Sequence, residues 1–301
     1  LRIPAACCGL VGLKPQRGRV SHAPDVGEQF LVTDGVLTRS VRETALLLDV
    51  LAGPEVGDAS WAPPPSEPFA ATAAREPRRL RIGVTTLMPL LETDLHPACA
   101  RATHDAARLL EGLGHEIEEV QPPWQQPGLL ELFTHAFGPA ICASIANAAL
   151  LAGRAPREED MEPLSWALWR LCNAITAVQA TVATYRLQAF ARTVTTWAAP
   201  YDALLTPALA QPPLPIGELD PCGPDPLGTF ERSGHFTPYT AISNVTGSPA
   251  ISLPLYTYDD GLPLAVQVLG RPAQEGALLA LAAQVEAAAP WAHRAAPLAL
   301  G

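Results

Sequence analysis

Basic residues are scarce in this sequence, and lysine is almost missing. The 301 residues contain a single lysine, Lys14, and carry a formal net charge of -10. A surface that binds phosphate backbones needs many clustered Lys and Arg side chains. We therefore expect no direct nucleic-acid partner. The densest basic cluster lies where we predict a loop and the start of a strand, and comprises Arg75, Arg78, Arg79 and Arg81.

Paired-cysteine motifs and histidine metal motifs are also missing. No Cys-x-x-Cys occurs, and two adjacent cysteines are poorly placed to bridge each other. The seven histidines include no His-Glu-x-x-His pattern. We expect no metal site, and reduced cysteines that fill the core. The six cysteines are Cys7, Cys8, Cys99, Cys142, Cys172 and Cys222.

Long apolar runs are missing as well. The sequence has no run of about eighteen uncharged apolar residues, and its start lacks the features of a signal peptide. We therefore expect no membrane partner and, by default, a cytoplasmic location. With 48% hydrophobic and 17% charged residues, the chain suits one large α/β domain over residues 1–301.

The clearest local signal is a helix over residues 40–52. Ser40 and Glu43 form an S-x-x-E capping box, apolar residues repeat at helical spacing, and Gly53 follows the pattern. A proline-rich stretch over residues 54–77 then predicts an irregular surface connection.

A βαβ unit is predicted next in the chain. Apolar alternation favours a strand at residues 80–84, a helix runs from about residue 97 to residue 113, and residues 116–120 can return as a parallel strand. This pattern indicates an α/β fold, which many unrelated activities share.

The rest of the chain is predicted to be helical first and then strand-rich. We expect about three helices between residues 128 and 199, whose Trp166, Trp169 and Tyr185 either pack in the core or form a wall over an apolar substrate pocket. Later elements are a strand at 201–207, a hairpin of strands at 251–255 and 264–269, and a helix at 273–289.

The serine-hydrolase elbow G-x-S-x-G is missing, which excludes that route to a nucleophile. Other blocks are informative instead. The segment LRIPAACCGLVGLKPQRGRVS at the start resembles part of the signature of the amidase signature family, and further blocks follow in that family's order. They are residues 34–53, 201–213, 239–255 and 261–272, with PWAHR near the end.

The resemblance implies a catalytic apparatus outside these residues. In this family a glycine-rich run ends in the nucleophilic serine directly before such a stretch, so the nucleophile is expected immediately before Leu1. A second serine in a cis peptide and a neutral lysine base are also implied upstream, and no catalytic residue is expected in this chain. We interpret the chain as a fragment; a processed N-terminus is the alternative.

Four residues in these blocks receive roles by resemblance. Arg2 is expected to support the nucleophile turn by bonding backbone carbonyls or a carboxylate. Lys14 is distinct from the catalytic lysine and is expected to pair or to extend beside the sheet. Thr237 and Asn244 are candidate pocket-lining residues, and helix capping is the equally weighted alternative for both.

The resemblance also implies a fold and an activity. The expected fold is a mixed, mainly parallel β-sheet covered on both faces by α-helices. The complete protein is expected to hydrolyse a carboxamide of a small molecule to an acid and ammonia or an amine, without a cofactor, with a homodimer left open. Two alternatives stay open: the glutamine-hydrolysing subunit of a tRNA-dependent amidotransferase, and a non-catalytic remnant.

Overall fold

One seven-stranded sheet organises the protein. The computed structural model describes residues 1–24, 26–27, 29–89 and 93–294. The strands are β1 (Val11–Lys14), β2 (Leu37–Thr38), β3 (Arg81–Val84), β4 (Glu116–Glu119), β5 (Ala203–Pro207), β6 (Ala250–Thr257) and β7 (Pro263–Gly270). Their order across the sheet is β2-β1-β6-β7-β5-β3-β4.

Helices precede, connect and cover these strands. They are α1 (Arg2–Cys8), α2 (Val41–Leu51), α3 (Phe69–Ala73), α4 (Pro97–Gly112), α5 (Leu129–Ala152), α6 (Pro163–Cys172), α7 (Ala177–Ala198), α8 (Pro226–Phe236), α9 (Ala241–Thr246) and α10 (Glu275–Ala288). The prediction of one domain over residues 1–301 includes 295–301, which lie outside the described residues.

The predicted α/β class is confirmed, but the expectation of a mainly parallel sheet was wrong. Among the described strands, only β3 pairs in parallel, with β4 and with β5. The other pairings, β1 with β2, β1 with β6, β5 with β7 and β6 with β7, are antiparallel. A short turn can join β6 to β7 only as a hairpin, whereas each parallel neighbour needs a long crossover.

The pairing register separates the two faces of the sheet. Directly paired residues share a face, and the row Leu13, Ile251, Val268 and Leu205 joins the apolar core that includes residues of α2, α4 and α10. The adjacent row on the opposite face includes Ala250, Leu269 and Leu204, which pack with residues of α7 and α9. Helices therefore cover both faces, as predicted.

Local signals in the sequence located several elements correctly. Ser40 caps α2 and forms the predicted capping box with Glu43. The βαβ unit, the three long helices, the β6–β7 hairpin and the last helix all form. Tyr185 is an exception, because it is 65% exposed rather than packed in the core. Trp166 and Trp169 are half-buried in α6.

The cysteines only partly match their prediction as buried fillers. All six are free, and Cys99, Cys142 and Cys172 are buried. Cys8 and Cys222 are exposed, so that interpretation was wrong for these two. Cys8 ends α1 on its solvent side, because the buried side of that short helix is taken by Arg2, Ala5 and Ala6.

Two surface features bear on the predictions of no nucleic-acid partner and no membrane partner. The clustered arginines are largely neutralised, since Arg78 pairs with Asp202 and Arg81 with Glu118. Among the described helices, α5 is long and apolar enough to cross a membrane by length and composition alone, and most of its apolar stretch is not buried. The absence of a membrane partner therefore stays a prediction.

Candidate active site

The short helix α1 packs directly against β1, and Gly12 allows this close contact because it has no side chain. A Cβ atom at Gly12 would lie 2.6 Å from the Cβ of Ala5 and 2.8 Å from the carbonyl oxygen of Leu1. Such distances are well inside van der Waals contact, so only glycine fits here. Gly9 ends the helix in the left-handed conformation, with φ of 67°.

A row of small and polar residues crosses the sheet beneath α1. Gly12 pairs with Ser252, Ser252 with Gln267, and Gln267 with Thr206, so their side-chain positions share one face. Ser252 and Gln267 are fully buried, and Thr206 is 1% exposed. The hydroxyl of Ser252 has no hydrogen-bond partner among the described residues. The interior is therefore polar where the start of the chain meets the sheet.

Arg2 connects α1 to this row. Its Nη1 donates to Oε1 of Gln267 and its Nη2 to Oδ1 of Asn244, both at 2.5 Å. Arg2 is 6% exposed, and in the described part of the chain it forms no ion pair. Burial without a counterion lowers the pKa of its guanidinium to about 9. Arg2 thus bonds carboxamide oxygens, not the backbone carbonyls or carboxylate that the sequence suggested.

Gln267 holds its own orientation through two further bonds. Its Nε2 donates to Oγ1 of Thr206 at 3.1 Å and to the carbonyl oxygen of Tyr239 at 3.3 Å. The Tyr239 hydroxyl donates in turn to the carbonyl oxygen of Thr86 at 2.6 Å, and burial raises its pKa. Because both the oxygen and the nitrogen of the Gln267 carboxamide form hydrogen bonds, the oxygen that accepts from Arg2 is fixed in place.

Lys14 lies on the same face as this row, two positions after Gly12. Its Nζ donates to the carbonyl oxygen of Pro15 at 2.6 Å, and the side chain is 4% exposed. Burial lowers the pKa of its amine well below the usual value, and the charges of Arg2 and Arg17 lower it further, whereas Glu275 raises it. Lys14 therefore has no acidic partner within ion-pair distance among the described residues, and its side chain does not extend to solvent.

The two candidate pocket residues have different surroundings. Asn244 lies inside α9. Its side-chain oxygen accepts a hydrogen bond from Arg2 and does not cap a helix. Thr237 follows α8, where its Oγ1 donates to the carbonyl oxygen of Ser233 at 2.9 Å. It therefore ends α8 and does not cap the start of α9. The structure brings Arg2 and Asn244 together, and a pocket-lining role for Thr237 and Asn244 stays a prediction.

The hydrogen bonds of this arrangement hold Arg2 and Gln267 in fixed positions next to the start of the chain. Among the described side chains of the row, none is a nucleophile hydrogen-bonded to a base, and no described His, Cys, Asp and Glu residues group as metal ligands. Sequence reasoning missed Gln267 and Thr206. The available signal was a lone glutamine within the apolar strand at residues 264–269.

Comparison with known proteins decides the family. A sequence model described as Amidase matches residues 1–279. The chain belongs to the Amidase family. This membership agrees with the blocks that run from residue 1 to the C-terminal hairpin, and it places the Arg2 network in the core of an amidase fold.

Individual relatives refine this picture. The 6-aminohexanoate-cyclic-dimer hydrolase of Paenarthrobacter ureafaciens is 36% identical over 98% of this amidase-family chain and 62% of its own length. A solved structure of 6-aminohexanoate cyclic dimer hydrolase complexed with substrate superposes with a TM-score of 0.88 at 34% identity, covering 98% of this chain and 64% of that one. The chain thus spans less than two thirds of the length of these relatives.

A more distant structure shows the shared fold only. It is a glutamyl-tRNA(Gln) amidotransferase chain from Thermotoga maritima, which is 24% identical with a TM-score of 0.71, covering 96% of this chain and 60% of that one.

Proposed function

We propose that this chain is the part of an amidohydrolase that follows the catalytic nucleophile, in an enzyme that converts a small-molecule carboxamide to a carboxylic acid and ammonia or an amine. Family membership and the similarity to a hydrolase named for a cyclic amide dimer support this proposal. The proposal includes a nucleophilic serine directly before Leu1, and a second serine and a lysine further upstream, none of which lies in this chain.

The observation that carries the proposal is the anchoring of α1. A nucleophile at the head of this helix needs a backbone held to within fractions of an ångström. Arg2 joins the first turn of α1 to Gln267 on β7 and to Asn244 on α9 by hydrogen bonds. Gly12 allows β1 to pack closely against α1. Three separate parts of the chain therefore set the position of Leu1 and of any residue attached before it.

The test begins with the coding sequence upstream of Leu1. A glycine-rich run ending in serine, a second serine and an earlier lysine are expected in frame. The extended protein should then react with a fluorophosphonate and release ammonia or amine from carboxamides. Replacement of the serine before Leu1 by alanine should abolish both signals. A stop codon in place of these residues would instead identify the chain as a non-catalytic remnant.

The glutamine-hydrolysing part of an amidotransferase is the second candidate, and the comparisons favour it less. A solved amidotransferase chain is 24% identical to this one, against 34% for a solved 6-aminohexanoate cyclic dimer hydrolase. Preference for glutamine over other carboxamides in the extended protein would reverse this ranking. A cytoplasmic location is part of the proposal and agrees with six free cysteines.

A further inference from the structure

The guanidinium of Arg17 lies at the C-terminal end of α9. Its Nη2 donates to the carbonyl oxygens of Asn244 and Val245 at 2.7 and 3.0 Å, and the backbone N–H of Arg17 donates to the carbonyl oxygen of Gly247 at 2.9 Å. The last carbonyl groups of a helix have no partner within the helix, and basic side chains can bond them. Arg17 therefore holds the backbone of α9 from the start of the chain.

Gly247 and Phe30 fix the position of this guanidinium. Gly247 ends α9 in the left-handed conformation, with φ of 75°, and a Cβ atom there would lie 3.2 Å from Cζ of Arg17. Cζ of Arg17 also lies 4.3 Å from the centroid of the Phe30 ring, which is within the range of a cation–π contact. Lys14 adds a longer bond from its Nζ to the carbonyl oxygen of Gly247, at 3.4 Å. The end of α9 is therefore held at several points.

Asn244 connects Arg17 to Arg2. Its backbone carbonyl accepts from Arg17, and its side-chain Oδ1 accepts from Arg2 at 2.5 Å. The helix α9 is only six residues long, and a helix of this length has little stability of its own. The position of the Asn244 side chain, and with it the bond to Arg2, therefore depends on the contacts that hold the backbone of α9.

We propose that Arg17 is a positioning residue for the nucleophile turn and that it acts through Asn244 on Arg2. This inference rests on the proposed function, in which the nucleophile directly precedes Leu1. Arg2 is the first residue of α1, so a shift of Asn244 is passed to the start of that helix. A misplacement of the reacting atoms by about 1 Å can lower a rate about 100-fold. Loss of Arg17 should therefore lower kcat.

The first test uses Arg17→Met in the 301-residue chain, with amide hydrogen exchange measured separately for residues 1–10 and for α9. Exchange should become about tenfold faster in both segments, because both lose the same support. Arg271→Met is the matched control. Arg271 donates to the carbonyl oxygens of Ala199 and Tyr201 at the end of α7, at 2.7 and 2.8 Å, so this variant loses bonds of the same kind. It should leave exchange in residues 1–10 unchanged.

Asn244→Ala separates the two steps of this connection. It removes the side-chain oxygen that binds Arg2 but keeps the backbone carbonyl that accepts from Arg17. In the Asn244→Ala protein, Arg17→Met should still speed exchange in α9 but should add nothing further in residues 1–10. An equal added effect on residues 1–10 with and without Asn244 would overturn the proposal. So would the absence of any effect of Arg17→Met on residues 1–10 in the native protein.

Arg17→Lys provides a milder variant. It keeps a charged donor and should restore part of the protection from exchange that Arg17→Met loses. Circular dichroism establishes that each variant folds. Arg17→Lys decides the same comparisons if Arg17→Met does not fold.

The second test uses the extended protein with its upstream residues. Arg17→Met should lower kcat for a carboxamide about tenfold and slow the reaction with a fluorophosphonate to a similar degree, with KM changed by less than about twofold. Arg271→Met should leave both rates at native values. A rise in KM with kcat unchanged would overturn the positioning role. If the native extended protein neither hydrolyses carboxamides nor reacts with the fluorophosphonate, the proposed function fails, whereas the exchange measurements still decide whether Arg17 positions α1.

Discussion

Arg2 and Gln267 are joined by a 2.5 Å hydrogen bond although 265 positions separate them in the chain. The bond links the first turn of α1 to the middle of β7, and it places a buried guanidinium against a neutral carboxamide oxygen. The geometry at the start of α1 therefore depends on the hairpin formed near the end of the chain.

Gln267→Met should be strongly destabilising. Methionine has a similar volume but neither accepts from Arg2 nor donates to Thr206, so a buried cation loses one of its two partners. We expect a loss of about 2–4 kcal/mol in the free energy of unfolding, measured by urea denaturation. Gln267→Glu restores an acceptor and should lose less. Equal losses in both variants would show that the bond to Arg2 contributes nothing.

Gly12→Ala should destabilise the protein by about 1–3 kcal/mol, because the new methyl group meets Ala5 and the Leu1 carbonyl. Gly112→Ala is the control. Gly112 lies in α4 with nothing within 4 Å of an added Cβ, so this substitution should stabilise by up to about 1 kcal/mol. Thermal unfolding of the two variants should therefore shift in opposite directions.

Lys14→Met should have an effect that depends on pH. Burial lowers the pKa of Lys14 in the folded state, so the unfolded chain binds the proton more tightly. Lys14 consequently weakens folding below its usual pKa of 10.5, and this penalty shrinks as the pH rises toward that value. The stability of the methionine variant relative to the native protein should therefore fall between pH 7 and pH 10, by at most about 1.4 kcal/mol per pH unit. A difference independent of pH would contradict this.

The ion pair between Arg19 and Glu275 should contribute far more to the free energy of unfolding than the ion pairs on the surface. Arg19 is 3% exposed and Glu275 fully buried, with Nε to Oε1 at 2.8 Å, and Glu275 also accepts from the backbone N–H of Gln16. Glu275→Gln should cost about 3–5 kcal/mol, since it leaves the Arg19 charge buried without its counterion.

The matched control for that substitution is Glu67→Gln. Glu67 pairs with Arg75, whose side chain is 64% exposed, so its loss should cost at most about 1 kcal/mol. Chemical denaturation of both variants at low and high salt gives the comparison. Similar losses of stability in the two variants would refute the conclusion that the buried ion pair is a major contributor to stability.

The sequence by itself determined the elements whose causes are local. The capping box of Ser40 and Glu43 begins α2, apolar alternation marks β3, and the short turn between β6 and β7 makes a hairpin. The sequence blocks also predicted the family correctly, because the resemblance depends only on the identity and order of residues. These features need only neighbours along the chain.

Only the tertiary structure decided how distant segments meet. The antiparallel pairing of β5 with β7 made the sheet less parallel than expected, and the partners of Arg2 lie 242 and 265 positions away. Arg17 likewise bonds the carbonyl oxygen of Asn244 at the end of α9 across 227 positions of the sequence. Such contacts arise from packing of whole elements, so hydrogen-bond partners and orphaned polar groups become visible only once the chain is folded.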